Sequence, residues 1–226
     1  MGFIDRIKKG LGFGKTIYVP DCTTKFKCPE LYANYKKLIA RTGIECLELD
    51  THVCSGDVII DSGFQDIFDE VRQKNLALFE KYNVTTIITN CPEAFKTFKE
   101  YYDIEVIHIT QFLTKNMNTI GTMQGLGEIY FHDACSLPRQ SMLTLEPRSI
   151  LEHRGYTVKE LPHHKEYTLS CGGYLLDHQP GIAKACAKQC IPPTVTSLVV
   201  ASPRCYLHLK ATLEGVDVKE LSEVLV

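Results

Sequence analysis

The chain has 226 residues, of which 44% are hydrophobic and 23% are charged, and its formal net charge is −2. This composition is typical of a globular protein with a real core, and the near-neutral charge gives no reason to expect nucleic acid as a partner. No apolar run approaches the roughly 20 residues that span a bilayer. Residues 1–14 have neither a continuous apolar core nor a small-residue cleavage site, so they are not predicted to be a secretory signal.

Ten cysteines are the unusual feature of the composition. Disulfides persist mainly in oxidising compartments, whereas a chain without an export signal is predicted to be cytoplasmic. In a reducing compartment, clustered cysteines more often bind metal or carry out thiol chemistry. The cysteine content therefore favours a metal or cluster site over a disulfide framework.

The first half of the chain alternates between predicted strands and helices. Residues 1–14 are expected to form a separate N-terminal amphipathic segment, with Phe3, Ile4, Ile7 and Leu11 on one helical face. The expected strands are 16–19, 46–49, 85–89 and 105–109. The expected helices are 29–41, 64–82 and 93–102, followed by a short helix to about residue 115.

The second half repeats this order after a glycine-rich linker at 121–127. Strands are expected at 128–131, 157–161 and 197–201, and helices at 147–154, 182–190 and 206–213, with 216–221 leading into a terminal turn. Strands that alternate with helices predict an α/β fold with parallel pairing. The predicted repeats are residues 15–120 and 121–226, called here the first and second repeat.

Six cysteines follow the same order in both repeats. The intervals between them are 32 and 37 residues in the first repeat and 36 and 34 residues in the second. Because strand ends in α/β sheets gather at one edge, where ligands usually bind, three cysteines of each repeat are expected to converge. The candidate ligands are Cys22, Cys54, Cys91, Cys135, Cys171 and Cys205.

These motifs resemble the cysteine-rich CCG-domain family, typified by the B subunit of heterodisulfide reductase. The iron–sulfur subunit of glycolate oxidase and lactate-utilisation protein A also belong to that family. Its pattern is a Cys, a long interval, Cys-Cys-Gly, a second long interval and Cys-Pro-x-Cys, often present twice. The resemblance runs from about Ile17 to Val226, and the second repeat is the closer copy, with His132-Asp133-Ala134-Cys135 and Pro147-Arg148. It implies two tandem CCG-like α/β repeats with small parallel sheets, related by an approximate twofold axis.

Four positions depart from the family pattern. Ser170 and Ser202 stand at lost thiolate positions in the second repeat, and Val53 and Ala94 do so in the first. Each repeat therefore supplies three thiolates where a full motif supplies five. Family members with full motifs carry noncubane iron–sulfur clusters that act on disulfides, and that chemistry does not transfer directly to this chain. The two serine hydroxyls are expected to donate hydrogen bonds to cluster sulfur.

Three thiolates suit more than one metal. A [4Fe–4S] cluster normally takes four cysteines, so three would hold a cube with one open iron or a [3Fe–4S] cluster. Three ligands plus water also suit a catalytic zinc. Free cysteine alternatively behaves as a small buried hydrophobe, which is the prediction for Cys46, Cys186 and Cys190. His132 is expected to make structural hydrogen bonds beside the site.

The resemblance implies an iron–sulfur redox or electron-transfer subunit of a heterodisulfide reductase-like or organic-acid oxidoreductase complex. No catalytic residue is assigned. Because the sequence lacks the Cys-x-x-Cys-x-x-Cys run of ferredoxins, the predicted partner is a ferredoxin-type iron–sulfur subunit or a flavin subunit. A non-catalytic zinc-binding or metal-free scaffold subunit is the alternative. Thiol–disulfide exchange is disfavoured because the sequence has no Cys-x-x-Cys.

Overall fold

The computed structural model describes residues 14–226 and shows two four-stranded sheets with eleven α-helices in that range. The predicted amphipathic segment, residues 1–14, lies outside the described residues except for Gly14. Every strand pairing is parallel, which confirms the predicted α/β class. Among the described helices, none is long and apolar enough to cross a membrane.

The first sheet has the strand order β2-β1-β3-β4. Its strands are β1 (Lys15–Val19), β2 (Cys46–Leu47), β3 (Val84–Thr89) and β4 (Glu105–His108). Its helices are α1 (Cys22–Lys27), α2 (Pro29–Arg41), α3 (Asp57–Asp61), α4 (Gln65–Tyr82), α5 (Pro92–Tyr101) and α6 (Ile109–Lys115).

The second sheet has the corresponding order β6-β5-β7-β8, as the tandem-repeat prediction requires. Its strands are β5 (Glu128–His132), β6 (Thr157–Glu160), β7 (Ser197–Val200) and β8 (Asp217–Glu220). Its helices are α7 (Ser136–Ser141), α8 (Glu146–Arg154), α9 (Pro180–Cys190), α10 (Pro203–Thr212) and α11 (Leu221–Leu225).

Strand order explains why four of the cysteines lie beyond the carboxyl ends of the central strands. In each sheet the connections run in opposite directions from the two central strands, which opens a crevice at their carboxyl ends. Cys22 and Cys91 follow the central strands β1 and β3. Cys135 follows β5 as Cys22 follows β1, and Cys205 lies in the helix that follows β7, three residues after Ser202 at the position that matches Cys91.

Short helices are the main elements that the periodicity misses. Helices α1, α3 and α7 have five or six residues each, too few to show a helical period in the sequence. The terminal turn expected near residue 221 is instead the helix α11, which begins with a capping box between Glu220 and Glu223. The same type of box, between His108 and Gln111, begins α6 at the corresponding place in the first repeat. Both boxes satisfy backbone N–H groups that a helix end leaves without partners.

One hydrophobic core joins the two repeats. It contains Tyr35 and Phe112 from the first repeat together with Phe131 and Val199 from the second. Within it, the Tyr35 hydroxyl donates a hydrogen bond to the carboxylate of Glu220. Burial raises the pKa of Glu220 to about 7. The two cysteine sites are therefore held on a shared apolar framework.

Candidate metal centre

The three cysteines of the second repeat line one small pocket of about 10 Å³. Cys135 precedes α7, Cys171 lies in the loop before a short 3₁₀ turn, and Cys205 lies in the first turn of α10. A space of this size is close to that of one water molecule or one ion. The three predicted ligands of the second repeat therefore line one pocket, and Cys171 and Cys205 are the two whose sulfurs meet.

Cys171 and Cys205 form a buried thiol pair with their Sγ atoms 3.4 Å apart. Their exposed fractions are 4% and 8%. The hydrogen bond from Cys205 lowers the pKa of Cys171, and the same interaction together with burial raises the pKa of Cys205. The pair therefore favours one shared proton and a thiolate on Cys171, which is the form that binds metal.

The two serines at lost thiolate positions hydrogen-bond the cysteines that remain. Ser202 hydrogen-bonds Cys205, and Ser170 hydrogen-bonds Cys135, an interaction that opposes the burial-driven rise in the pKa of Cys135. Ser170 Oγ also accepts a hydrogen bond from Gly172 N at 3.2 Å. These contacts place both hydroxyls beside cysteine sulfur, and their donation to cluster sulfur stays a prediction.

Gly172 is required by the turn that carries Cys171. Its φ is +83°, in the left-handed region that favours glycine. A Cβ at this position would lie 2.8 Å from the carbonyl oxygen of Ala183. The glycine that follows Cys171 therefore lets the loop pack closely against α9.

His132 faces the thiol pair, although the sequence predicted a structural hydrogen-bonding role for it. One of its ring nitrogens and the sulfurs of Cys171 and Cys205 all lie within 4.8 Å of one another. Its side chain is buried, with 1% exposed. The ring acts on the Cys171 sulfur, since its hydrogen bond and charge help to lower the pKa of that thiol. Neither ring nitrogen has a well-aligned hydrogen-bond partner among residues 14–226.

A buried ion-pair network holds the turn between His132 and Cys135. Both guanidinium Nη atoms of Arg148 donate to the Asp133 carboxylate, at 2.9 and 2.8 Å. Arg148 also donates to Glu160 at 2.6 and 2.7 Å. Asp133 accepts a further hydrogen bond from Lys165 N at 2.7 Å. This bidentate geometry gives a physical reason for the Asp133 and Arg148 motifs, which the sequence showed only as family features.

The first repeat brings two of its three predicted ligands together. Cys22 is exposed and Cys54 is partly buried. A hydrogen bond from Cys22 lowers the pKa of Cys54 and raises that of Cys22. His52 Nε2 lies 3.6 Å from Cys22 Sγ. These three side chains form a second, more open group of sulfur and nitrogen donors.

The Cys91 thiol points elsewhere. Its Sγ accepts a hydrogen bond from Ala94 N at 3.4 Å and donates to Glu93 Oε2 at 3.5 Å. Cys91 therefore caps the first turn of α5, and burial raises its pKa. All three cysteines thus line one pocket in the second repeat, while the first repeat pairs Cys22 with Cys54.

Glu93 of the first repeat reaches the pocket of the second. Its Oε1 atom accepts a hydrogen bond from Ser136 Oγ at 2.5 Å, and its carboxylate also hydrogen-bonds Tyr174. The Arg204 guanidinium lies 4.3 Å from the centroid of the Tyr174 ring. Sequence reasoning missed Glu93 and Tyr174. The only signal was that Glu93 follows Cys91-Pro92 directly at a strand end.

The possible ligand atoms of the second repeat fit a metal ion that binds thiolate and imidazole. Thiolates and neutral imidazole are the ligands that zinc, copper and iron take in proteins. Cys171 and Cys205 supply two sulfurs, and the buried His132 supplies a nitrogen within 4.8 Å of both. These three residues are the donors close enough together to share one ion, and Cys135 lines the adjoining pocket.

This fold and these sites define a tandem α/β protein with cysteine clusters at the carboxyl ends of its strands. Residues 16–99 match the family model of the CCG domain, described as a cysteine-rich domain. This match and the relatives named below bear out the resemblance to the cysteine-rich CCG-domain family that the motifs predicted. The family match falls on the first repeat, whereas the motifs made the second repeat the closer copy.

Curated relatives extend the similarity over both repeats. The B subunit of fumarate reductase (CoM/CoB) from Methanothermobacter marburgensis is 27% identical over 223 residues, which are 94% of this chain and 45% of the relative. The D subunit of dihydromethanophenazine:CoB–CoM heterodisulfide reductase from Methanosarcina acetivorans is 25% identical over 89% of this chain and 54% of its own length. The probable iron–sulfur-binding oxidoreductase FadF of Bacillus subtilis is 32% identical over 62% of this chain and 21% of its own length. The chain spans about half the length, or less, of these relatives.

Proposed function

We propose that this chain is the cysteine-cluster part of an iron–sulfur redox or electron-transfer subunit. The proposed ligands are Cys135, Cys171 and Cys205 in the second repeat and Cys22, Cys54 and Cys91 in the first. The observation that carries the proposal is the buried pair Cys171–Cys205, with sulfurs 3.4 Å apart at the sheet edge. Relatives named as iron–sulfur proteins and oxidoreductases support it. A bound iron–sulfur cluster would supply one-electron transfer.

The chain's own residues would protect and tune that group. Ser170 and Ser202 hydrogen-bond the sulfurs of Cys135 and Cys205. Hydrogen bonds of this kind stabilise negative charge on sulfur and so favour the reduced state. Glu93, Tyr174 and Arg204 line the pocket, where their side chains restrict water.

One observation favours the alternative of a non-catalytic zinc-binding scaffold subunit. Two thiolates on a tetrahedral zinc, each at about 2.3 Å, lie about 3.7 Å apart. The observed separation of 3.4 Å between Cys171 and Cys205 is close to that value. A cluster of several irons is larger than a pocket of about 10 Å³, so its binding would require the loops of Cys171 and Cys205 to separate.

The proposal also includes an electron-transfer partner and a cellular location. The reductase relatives named above are themselves subunits, and this chain spans about half their length. A ferredoxin-type iron–sulfur subunit or a flavin subunit is the proposed electron partner. Cytoplasmic residence is proposed from the ten free thiols, since thiols stay reduced mainly in reducing compartments.

Metal analysis tests the proposal directly. The full chain is purified without oxygen, and its iron, acid-labile sulfide and zinc are measured beside its visible and EPR spectra. We expect iron and sulfide in matched amounts with a coloured, EPR-active centre. A colourless protein that holds zinc and no sulfide would replace the redox function with the scaffold alternative. A protein that holds neither metal would remove both metal-binding candidates.

A further inference from the structure

We infer that His132 is a direct ligand of the metal centre in the second repeat. That centre would then be a mixed cysteine–histidine site rather than an all-cysteine site. The inference rests on the proposed metal binding at Cys171 and Cys205 and goes beyond it by naming a nitrogen ligand. It changes the expected charge of the centre, because imidazole is a neutral ligand and thiolate is an anion.

The first argument is that His132 is buried without the well-aligned hydrogen bonds that burial demands. Its side chain is 1% exposed, and the group that its ring acts on is the Cys171 sulfur, without a well-aligned hydrogen bond to either ring nitrogen within residues 14–226. Buried polar groups are nearly always paired, and an unpaired one costs free energy. His108, at the end of β4, differs because its Nδ1 atom lies 2.8 Å from Thr110 Oγ1. A metal ion would satisfy a ring nitrogen of His132 that the described protein atoms do not.

The second argument is distance. A ring nitrogen of His132 and the sulfurs of Cys171 and Cys205 all lie within 4.8 Å of one another. Ligand atoms bind a tetrahedral zinc-like ion at about 2.0–2.3 Å, so neighbouring ligands of one ion lie about 3.5–3.7 Å apart. The two sulfurs, 3.4 Å apart, are already close to that spacing, and the imidazole would reach it by a shift of at most about 1.3 Å. Cys135 lines the pocket beside Cys171 and Cys205.

The third argument is that the backbone holds His132 in place. It is the last residue of β5 and pairs with Val200 of β7, five residues before Cys205. Asp133, the next residue, is fixed by the two hydrogen bonds from Arg148. The imidazole is therefore positioned by a strand and a buried ion pair, as a preorganised ligand is.

The first repeat supports the inference by a different route. Pro20 precedes Asp21 there, as His132 precedes Asp133, and proline offers no side-chain donor. An imidazole is nevertheless present beside that thiol pair, because His52 Nε2 lies 3.6 Å from Cys22 Sγ. Each cysteine pair thus has one histidine next to it, and the two histidines come from different loops.

Isotope labelling tests the ligand directly. The full chain is produced with ¹⁵N-histidine, purified without oxygen and examined by pulsed EPR and by redox titration. The variant is His132→Asn, and His108→Asn is the matched control, because His108 is also buried with an Nε2 atom that has no partner in the described structure. We expect a directly bound nitrogen that responds to the label in the wild-type protein and in His108→Asn. His132→Asn should lose that signal and shift the midpoint potential.

The outcomes separate this inference from the proposed function. An iron–sulfur centre without a directly bound histidine nitrogen in the labelled wild-type protein would overturn the ligand assignment and leave the redox function standing. This result does not depend on whether the variants fold. A wild-type protein without iron or zinc would overturn both proposals.

A zinc-containing protein is examined with Co²⁺, because zinc is silent in EPR. Co²⁺ replaces the zinc in the wild-type protein and in both variants, and its visible spectrum reports the ligands. We expect His132→Asn to weaken Co²⁺ binding at least tenfold and to change the d–d bands, with His108→Asn like the wild type. Equal affinity and equal spectra in all three proteins would overturn the inference.

Discussion

The two cysteine sites lie at the same place in two sheets of the same strand order, yet they differ in burial and in neighbours. The second site has a buried pair, Cys171 and Cys205, and the first has the exposed Cys22 beside Cys54. Both positions that lack a family thiolate are serines hydrogen-bonded to sulfur in the second repeat. In the first repeat they are the apolar Val53 and Ala94, both buried in the core.

This difference shows that the sheet topology positions the cysteines, while the loop residues determine what the thiols contact. Cys91 precedes α5 as Ser202 precedes α10, and its Sγ hydrogen-bonds Ala94 N and the Glu93 carboxylate. Cys205 instead meets Cys171 across the crevice. We therefore expect the second repeat to be the stronger metal site.

The largest expected effect is the loss of that site. Cys171→Ala removes the thiolate of the buried pair and should abolish the centre of the second repeat, while Cys22→Ala should leave it intact. Metal content and the EPR spectrum of each variant measure this difference. Cys190→Ala is the matched control, since Cys190 is a buried thiol of the same repeat that hydrogen-bonds the Ala187 carbonyl. Equal losses in all three variants would contradict the ranking of the sites.

The aspartates before the first cysteine of each repeat should differ strongly in their effect on stability. Asp133→Ala leaves the buried Arg148 without its bidentate partner, which should lower the free energy of unfolding by about 3–5 kcal/mol. Asp21→Ala removes a helix cap that accepts from Thr23 N and Thr24 N, a loss of about 1 kcal/mol. Denaturant unfolding measures both values. A similar loss in the two variants would mean that the Arg148 network is not specific to the second site.

His108 and Glu220, the first residues of the two capping boxes, allow the pH dependence of stability to be compared between the two repeats. Burial lowers the pKa of His108 to about 3 and raises that of Glu220 to about 7. The stabilisation from neutral Glu220 is complete below about pH 4.5 and is lost as the pH rises towards 7, where ionisation in the buried site is penalised. His108 acts in the opposite direction, because its neutral form is favoured above about pH 6.5 and the benefit is lost as the pH falls towards 3. The two repeats should therefore respond oppositely to acid.

The variant Glu220→Gln tests the contribution of Glu220 to this pH dependence alone. The amide still accepts a hydrogen bond from Tyr35 and cannot ionise, although Tyr18, Tyr35 and Glu223 remain near it. The variant's free energy of unfolding relative to wild type should rise by about 3 kcal/mol between pH 4.5 and pH 7. Denaturant unfolding across this range measures it, and the exposed Glu214→Gln is the control. A difference that stays constant with pH would show that Glu220 ionises without penalty.

The smallest expected effect concerns the serines. Ser202→Ala removes the hydroxyl that hydrogen-bonds Cys205. Loss of such a bond is worth about 1 kcal/mol, on the order of 40 mV for one electron, towards a more negative midpoint potential. Redox titration measures the shift. Ala94→Ser, which adds a hydroxyl in the first repeat at the position that matches Cys205, should leave the potential of the second centre unchanged, and an equal shift there would refute the local explanation.

Most of the fold followed from patterns that act over short distances along the chain. Alternation of strands with helices predicted parallel pairing, and proline and glycine marked ends such as Pro29 and Gly155. The helices that begin at or next to Cys22 and Cys135 were not predicted, because five or six residues show no period. The spacing of residues along the sequence predicted the six cysteines and the two serines beside them as site residues, and no more of the site than that.

By itself, the sequence determined the α/β class, the tandem order of the cysteines and the positions of the lost thiolates, because each depends on residue type and spacing. Only the tertiary structure decided which thiols meet. Cys171 and Cys205 are 34 residues apart, and their contact depends on the crevice between β5 and β7. The approach of His132 to that pair and of Glu93 to Ser136 depends on packing between distant segments. No local pattern records such packing, since the burial of an imidazole or a carboxylate is a property of the whole folded core.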